Sequence, residues 1–222
     1  MLMNPQLVYD FYTTYFVPLC ALLPVFFGIK NYRFLKPSFK ILLYFIVVSS
    51  LINMVNLVMI SRHMYTVKLI HLYTIVEFFF ITLVFSRIFN KKTRPLLYTL
   101  IAVFTVACTF NTFFIQNKIE YNSYTRPVGA LIIVLYCMSY IIKTGTEERK
   151  WTENSFNWIN SGLLLYYASG VVMFMFNNYF LKWDTWAVLT WILIDTILLI
   201  EYILFAIGFY KCKLPTTTTQ LS

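Results

Sequence analysis

The sequence predicts an all-α integral membrane protein of seven transmembrane helices, oriented N-out/C-in. Composition is the first observation: the 222 residues are 59% hydrophobic and 20% aromatic, with only 12% charged. A soluble domain carries about 25% charged residues, so an ordinary globular domain, a disordered chain and a disulfide-stapled secreted module are excluded. The second observation is a set of seven long apolar runs. The third is the uneven way the basic residues fall between them.

A spanning helix needs roughly 20 mostly apolar residues, because its backbone must satisfy its own hydrogen bonds in lipid. Phe11 to Ile29 opens the series; it lacks a basic n-region and a small-residue cleavage site, so it is expected to persist as a mature helix. Ile41 to Ile60, Leu69 to Ser86, Pro95 to Ile115, Pro127 to Ile142, Phe156 to Phe176 and Trp186 to Tyr210 follow. Pro95 and Pro127 stand at expected first helical positions, where a missing N–H costs nothing. The fifth run is the shortest and draws on Asn122 to Arg126 if it needs more length. Residues 1–210 read as a single seven-helix domain and 211–222 as a short disordered cytoplasmic tail containing Pro215 to Thr219. The longest linker, Lys143 to Ser155, is too short for a soluble catalytic, kinase or DNA-binding domain.

Alternate loops and the C-terminal tail hold 13 of the 18 basic residues, from Lys30 through Lys213. The other side holds five: Arg62, Lys68, Lys118, Arg126 and Lys182. The positive-inside rule then puts the N-terminus outside and the C-terminus in the cytoplasm. The basic residues form short clusters between spans rather than one soluble face, so the net charge of +9 is a topology signal and nucleic acid is not a partner. The lipid bilayer is the expected environment, with a cytoplasmic or membrane protein partner as a further expectation. The absence of an N-x-Ser/Thr sequon agrees with a bacterial inner (cytoplasmic) membrane.

An internal echo suggests a parallel 3+1+3 pseudo-repeat, in which runs one to three and five to seven point the same way around a linking fourth. Leu42-Leu43-Tyr44 with Asn56 recurs as Leu164-Leu165-Tyr166 with Asn178 at equal spacing, and Glu77 has a counterpart in Asp195.

Acidic residues inside apolar runs are the most informative positions, since centring one costs about 2.5–3.5 kcal/mol on insertion scales. Glu77, Asp195 and Glu201 are such residues. Counted from the outer ends, Asn53 lies 7 residues deep, Glu77 8, Asp195 9 and Ser169 7. At 1.5 Å per residue that places four polar side chains in one layer, about 10–14 Å inside. Ser49, Asn53 and Asn56 share a helix face, Tyr73 lies one turn from Glu77, and Trp191 one turn from Asp195. The predicted pocket, open to the outside, comprises Asn53, Asn56, Tyr73, Glu77, Ser169, Trp191 and Asp195; interhelical hydrogen bonds that merely lock the bundle are the competing explanation. Glu201 lies on another face and is expected to pair with a basic residue such as Arg87. His71 is expected near the outer interface.

Known chemistries are absent as motifs. Trp186 to Tyr210 has no lysine for a retinal Schiff base, and no HxxxH, HExxH, GxSxG or GxxxxGK[ST] occurs. Cys20, Cys108, Cys137 and Cys212 are scattered and only two histidines exist, so neither a zinc site nor any other cofactor is expected. The leading expectation is a receptor or signalling protein that binds a small ligand or proton in the outer pocket and acts through a cytoplasmic partner. Two alternatives stay open: a lipid-modifying membrane hydrolase with Glu77 and Asp195 as paired catalytic carboxylates, and an ion-coupled transporter. Enzymatic activity is thus undecided at this point, with the missing motifs against it.

Overall fold

The computed structural model describes residues 9–116, 121–145, 150–180 and 184–213. The Pro215 to Thr219 tail and Lys118, Arg149 and Lys182 of the charge count lie outside the described residues. The described residues form helices joined by short links, with no strand among them. Among the described residues seven helices are long and apolar enough to cross a membrane: α1 (Tyr9–Lys30), α2 (Pro37–Ser61), α3 (Val67–Ile88), α4 (Lys91–Ile115), α5 (Thr125–Thr144), α6 (Ser155–Phe180) and α7 (Asp184–Lys211). The chain is an integral, multi-pass membrane protein.

Helix starts follow local chemistry. Lys36 is extended and Pro37 opens α2, as the clash of a proline ring with the preceding residue requires. The fifth helix begins two residues before Pro127. There the Asn122 carboxamide oxygen accepts hydrogen bonds from the Thr125 N–H (3.1 Å), the Thr125 hydroxyl (2.7 Å) and the Arg126 N–H (3.3 Å). Pro127 has no N–H to satisfy, so one asparagine and one proline together account for the first orphan donors of α5. The Asn122 amide also donates to the Thr74 hydroxyl at 3.3 Å, which fixes this helix start against α3. Arg126, an outer-loop residue in the charge count, is thereby carried inside α5.

The packing order is a ring with one outlier. The largest contacts join α6 to α7 and α5, α2 to α3, and α1 to α7; α3 also packs on α5, and α1 on α2. Helix α4 lies outside this ring, held chiefly by α3. Two three-helix units, α1–α3 and α5–α7, thus meet along two seams, α3 with α5 and α7 with α1, with α4 as the external link. The α6–α7 contact is close because both helices present glycine. A Cβ on Gly208 would stand 2.7 Å from Ile159 Cγ1 and 3.1 Å from the Ser155 carbonyl oxygen, and one on Gly162 would meet Phe205 at 3.2 Å. Small residues of this kind let backbones approach where lipid supplies no hydrophobic drive to associate.

Candidate functional site: a buried ion pair across the inter-unit seam

Glu77 lies near the middle of α3, ten residues from Val67 and eleven from Ile88, hence about 15 Å from either end. It is 4% exposed. Its charged neighbour is Arg126 of α5, whose Nε stands 3.9 Å from Glu77 Oε2. Glu77 belongs to the first three-helix unit and Arg126 to the second, so the pair spans the seam between them.

The surroundings are aromatic and hydroxylated. Tyr73 and Tyr167 lie beside the Glu77 carboxylate. The Tyr73 hydroxyl accepts from Ser49 of α2 at 3.2 Å. Arg126 donates through Nη2 to the Tyr166 hydroxyl at 3.4 Å, and its guanidinium carbon lies 4.0 Å from the Phe174 ring centroid and 5.7 Å from that of Tyr73. Phe174 thus supports the cation through its ring face rather than through a hydrogen bond. The pair itself is loose: 3.9 Å is too long for a hydrogen bond, and Arg126 Nε has no hydrogen-bond partner. A buried pair without good geometry adds little stability, although removing one partner strands the other charge.

The seven residues expected to form one pocket are distributed differently. Tyr73 and Glu77 are together. Trp191 packs its ring on Tyr121, 6.0 Å between centroids. Ser169 donates to the carbonyl oxygens of Leu165 and Tyr166 in its own helix. Asn53 and Asn56 are half-buried on the outer part of α2, and Asn56 Oδ1 has no hydrogen-bond partner. Asp195 is half-buried in α7, with Tyr9 of α1 and Tyr202 as its electrostatic neighbours; the adjacent Thr196 hydroxyl hydrogen-bonds Tyr12 of α1 at 2.9 Å. It therefore belongs to the α1–α7 seam, whereas Glu77 belongs to the α3–α5 seam.

Two side expectations are corrected. Glu201 makes no ion pair with Arg87 among the described residues: Glu201 is 4% exposed, while Arg87 is exposed one residue from the end of α3. His71 is buried rather than interfacial, because α4 covers it and Thr112 hydrogen-bonds its Nδ1 at 3.1 Å. Arg126, Tyr166, Tyr167 and Phe174 are the site residues that sequence reasoning missed. The one available signal was that Arg126 abuts an undersized apolar run and could be drawn into it.

Residues 128–211 match a family described as a domain related to the MnhB subunit of a Na+/H+ antiporter. The match begins two residues after Arg126 and spans less than half of the chain, taking in all of α6 and α7 and nearly all of α5, with Tyr166, Tyr167, Phe174, Asp195 and Glu201 inside it. No curated protein and no solved structure matches the chain. The family match overturns the receptor and signalling expectation: the second three-helix unit resembles a domain connected with ion antiport. Of the readings weighed on the sequence, the ion-coupled transporter agrees with it best.

Proposed function

We propose that this chain is a membrane-embedded, ion-coupling component of a cation transport system in the bacterial plasma membrane, with Glu77 as the carboxylate that carries the coupled ion. The buried Glu77–Arg126 pair across the inter-unit seam is the observation that supports this reading. A carboxylate at mid-membrane that has only a loose internal cation can exchange that cation for a proton or Na+. Exchange would release Arg126 to Tyr166 and Phe174 and remove the tie between α3 and α5, freeing one three-helix unit to move against the other. Rocking of repeat units around a midplane site is a general way to alternate access. The printed description of the matched family speaks of a subunit, and a membrane-embedded protein partner follows as part of the proposal.

The test uses everted membrane vesicles from cells expressing the full chain, so that native partners are retained. Sodium-driven proton movement, read by an internal pH dye, is expected in vesicles with the wild-type chain and at background in Glu77→Gln at equal protein level. Equal rates in the two preparations would sink the proposal.

A further inference from the structure

Counted from the cytoplasmic ends, Glu201 occupies in α7 the position that Glu77 occupies in α3. Glu77 stands eleven residues before the cytoplasmic end of α3 and Glu201 ten before that of α7, about 15 Å in each case. The two helices hold equivalent places in the two three-helix units, and their carboxylates lie within electrostatic range of each other. Asp195, six residues further out, is the match when depth is counted from the outer ends, eleven residues from Asp184 against ten from Val67 for Glu77. Within electrostatic range of Glu201 are Glu77 of α3, Cys137 of α5, Tyr166 and Tyr167 of α6, and Tyr202 of its own helix. The bundle centre thus brings together two carboxylates and one guanidinium, Arg126, and that guanidinium is held at Glu77. With both acids ionised one negative charge is uncompensated in a low-dielectric interior, a state that burial opposes strongly.

The cytoplasmic side offers a route by which the missing charge can arrive. A cavity of about 180 Å³ opens between the ends of α5 and α6, lined among others by Thr144, Lys150, Asn154, Asn157, Asn160 and Ser161. It is polar and large enough for several water molecules. Among its lining residues is Asn160, 1% exposed, whose amide donates to the Cys137 carbonyl oxygen at 3.3 Å and whose Oδ1 has no hydrogen-bond partner. One residue past Ser161, the Glu201 Cγ lies 3.4 Å from where a Gly162 Cβ would be, so the carboxylate stem leans on the glycine that follows the cavity wall.

We infer that Glu201 is a second monovalent-cation site, taking a proton or Na+ from the cytoplasm through the Asn160-lined cavity, with that cation balancing the charge that Arg126 leaves unmatched. Asn160 Oδ1 is an unpaired acceptor that a water or an entering cation meets in the cavity. This inference rests on the transport reading for its purpose and not for its test.

The full chain in lipid nanodiscs is assayed for cation binding without any flux. A sodium-dependent rise in thermal stability, with choline as the control cation, reports Na+; a protonated carboxyl band in the infrared spectrum, with no response to Na+, reports a proton. In Glu201→Gln the half-saturating Na+ concentration is expected to rise about tenfold or more, or the carboxyl band to vanish. A wild-type chain with neither signal, or a Glu201→Gln chain whose signals equal those of the wild type, overturns the inference. The wild-type arm decides the matter even if the variant fails to fold. Binding that persists in a chain whose vesicles show no flux would remove the transport reading alone.

Discussion

Near the cytoplasmic end Phe39, Phe85, Phe156 and Phe209 meet edge to face, with centroids about 6 Å apart, and bind α2, α3, α6 and α7 into one block. Tyr136 and Tyr140 of α5 extend that block. On the outer side, α2 buries no residue beyond Ile46, and its remaining length to Ser61 is half-buried or exposed. What closes the outer side is polar: Gln116 donates to the Tyr121 carbonyl oxygen, Asn178 accepts from and donates to the Tyr121 backbone, and Asn122 ties α5 to α3. Contacts of the first kind are diffuse and hard to undo singly. Contacts of the second are few and directional, and they can be exchanged for water or an ion. The Glu77–Arg126 pair lies between the two regimes.

The largest expected effect comes from separating that pair. Arg126→Met should cost about 3–5 kcal/mol, because it leaves the Glu77 charge buried without its cation. For a chain of this size that is a fall in Tm on the order of 10 °C. Adding Glu77→Gln to Arg126→Met should recover most of the loss, measured by thermal unfolding in nanodiscs. A double variant no more stable than Arg126→Met would show that Arg126 acts through its contacts with Phe174 and Tyr166 rather than through charge.

Phe85→Ala tests the other regime. Phe85 is fully buried and touches Phe89, Tyr136 and Phe156, so its removal should cost about 3 kcal/mol by leaving a cavity. The sodium response of the remaining folded protein should stay at its wild-type value. A shifted sodium response would mean that the aromatic block and the polar seam are one cooperative unit.

The seven spans were legible because lipid imposes a length and a polarity on every helix that crosses it, and both are properties of sequence. Glu77 was legible for the same reason: an acid in an apolar run stands out. Its partner was not. Arg126 precedes a proline at the edge of a short run, and only the three-pronged cap by Asn122 shows that the helix starts before it. Tyr166, Tyr167 and Phe174 are hidden by a composition one fifth aromatic. Counting depth from the outer ends pairs Glu77 with Asp195, and the observed helices keep that pairing, ten residues from Val67 and eleven from Asp184. Measured from the cytoplasmic ends, the match is Glu201. Depth alone also says nothing about rotation, which is why Asp195 turned up against α1.

The smallest effect is expected on the open outer stretch of α2. Asn53→Leu and Asn56→Leu replace half-buried amides for which the described residues provide no hydrogen bond, and Asn56 Oδ1 is buried without a partner. Replacing such a group by an apolar one of similar size should change stability by no more than about 0.5 kcal/mol. Sodium-driven flux in vesicles should also stay near wild type, since neither amide hydrogen-bonds Glu77 or Arg126 among the described residues. A large loss of flux with unchanged stability would mean that α2 closes onto Glu77 during the cycle, bringing both asparagines to the ion in a conformation that differs from this one by inward movement of that stretch.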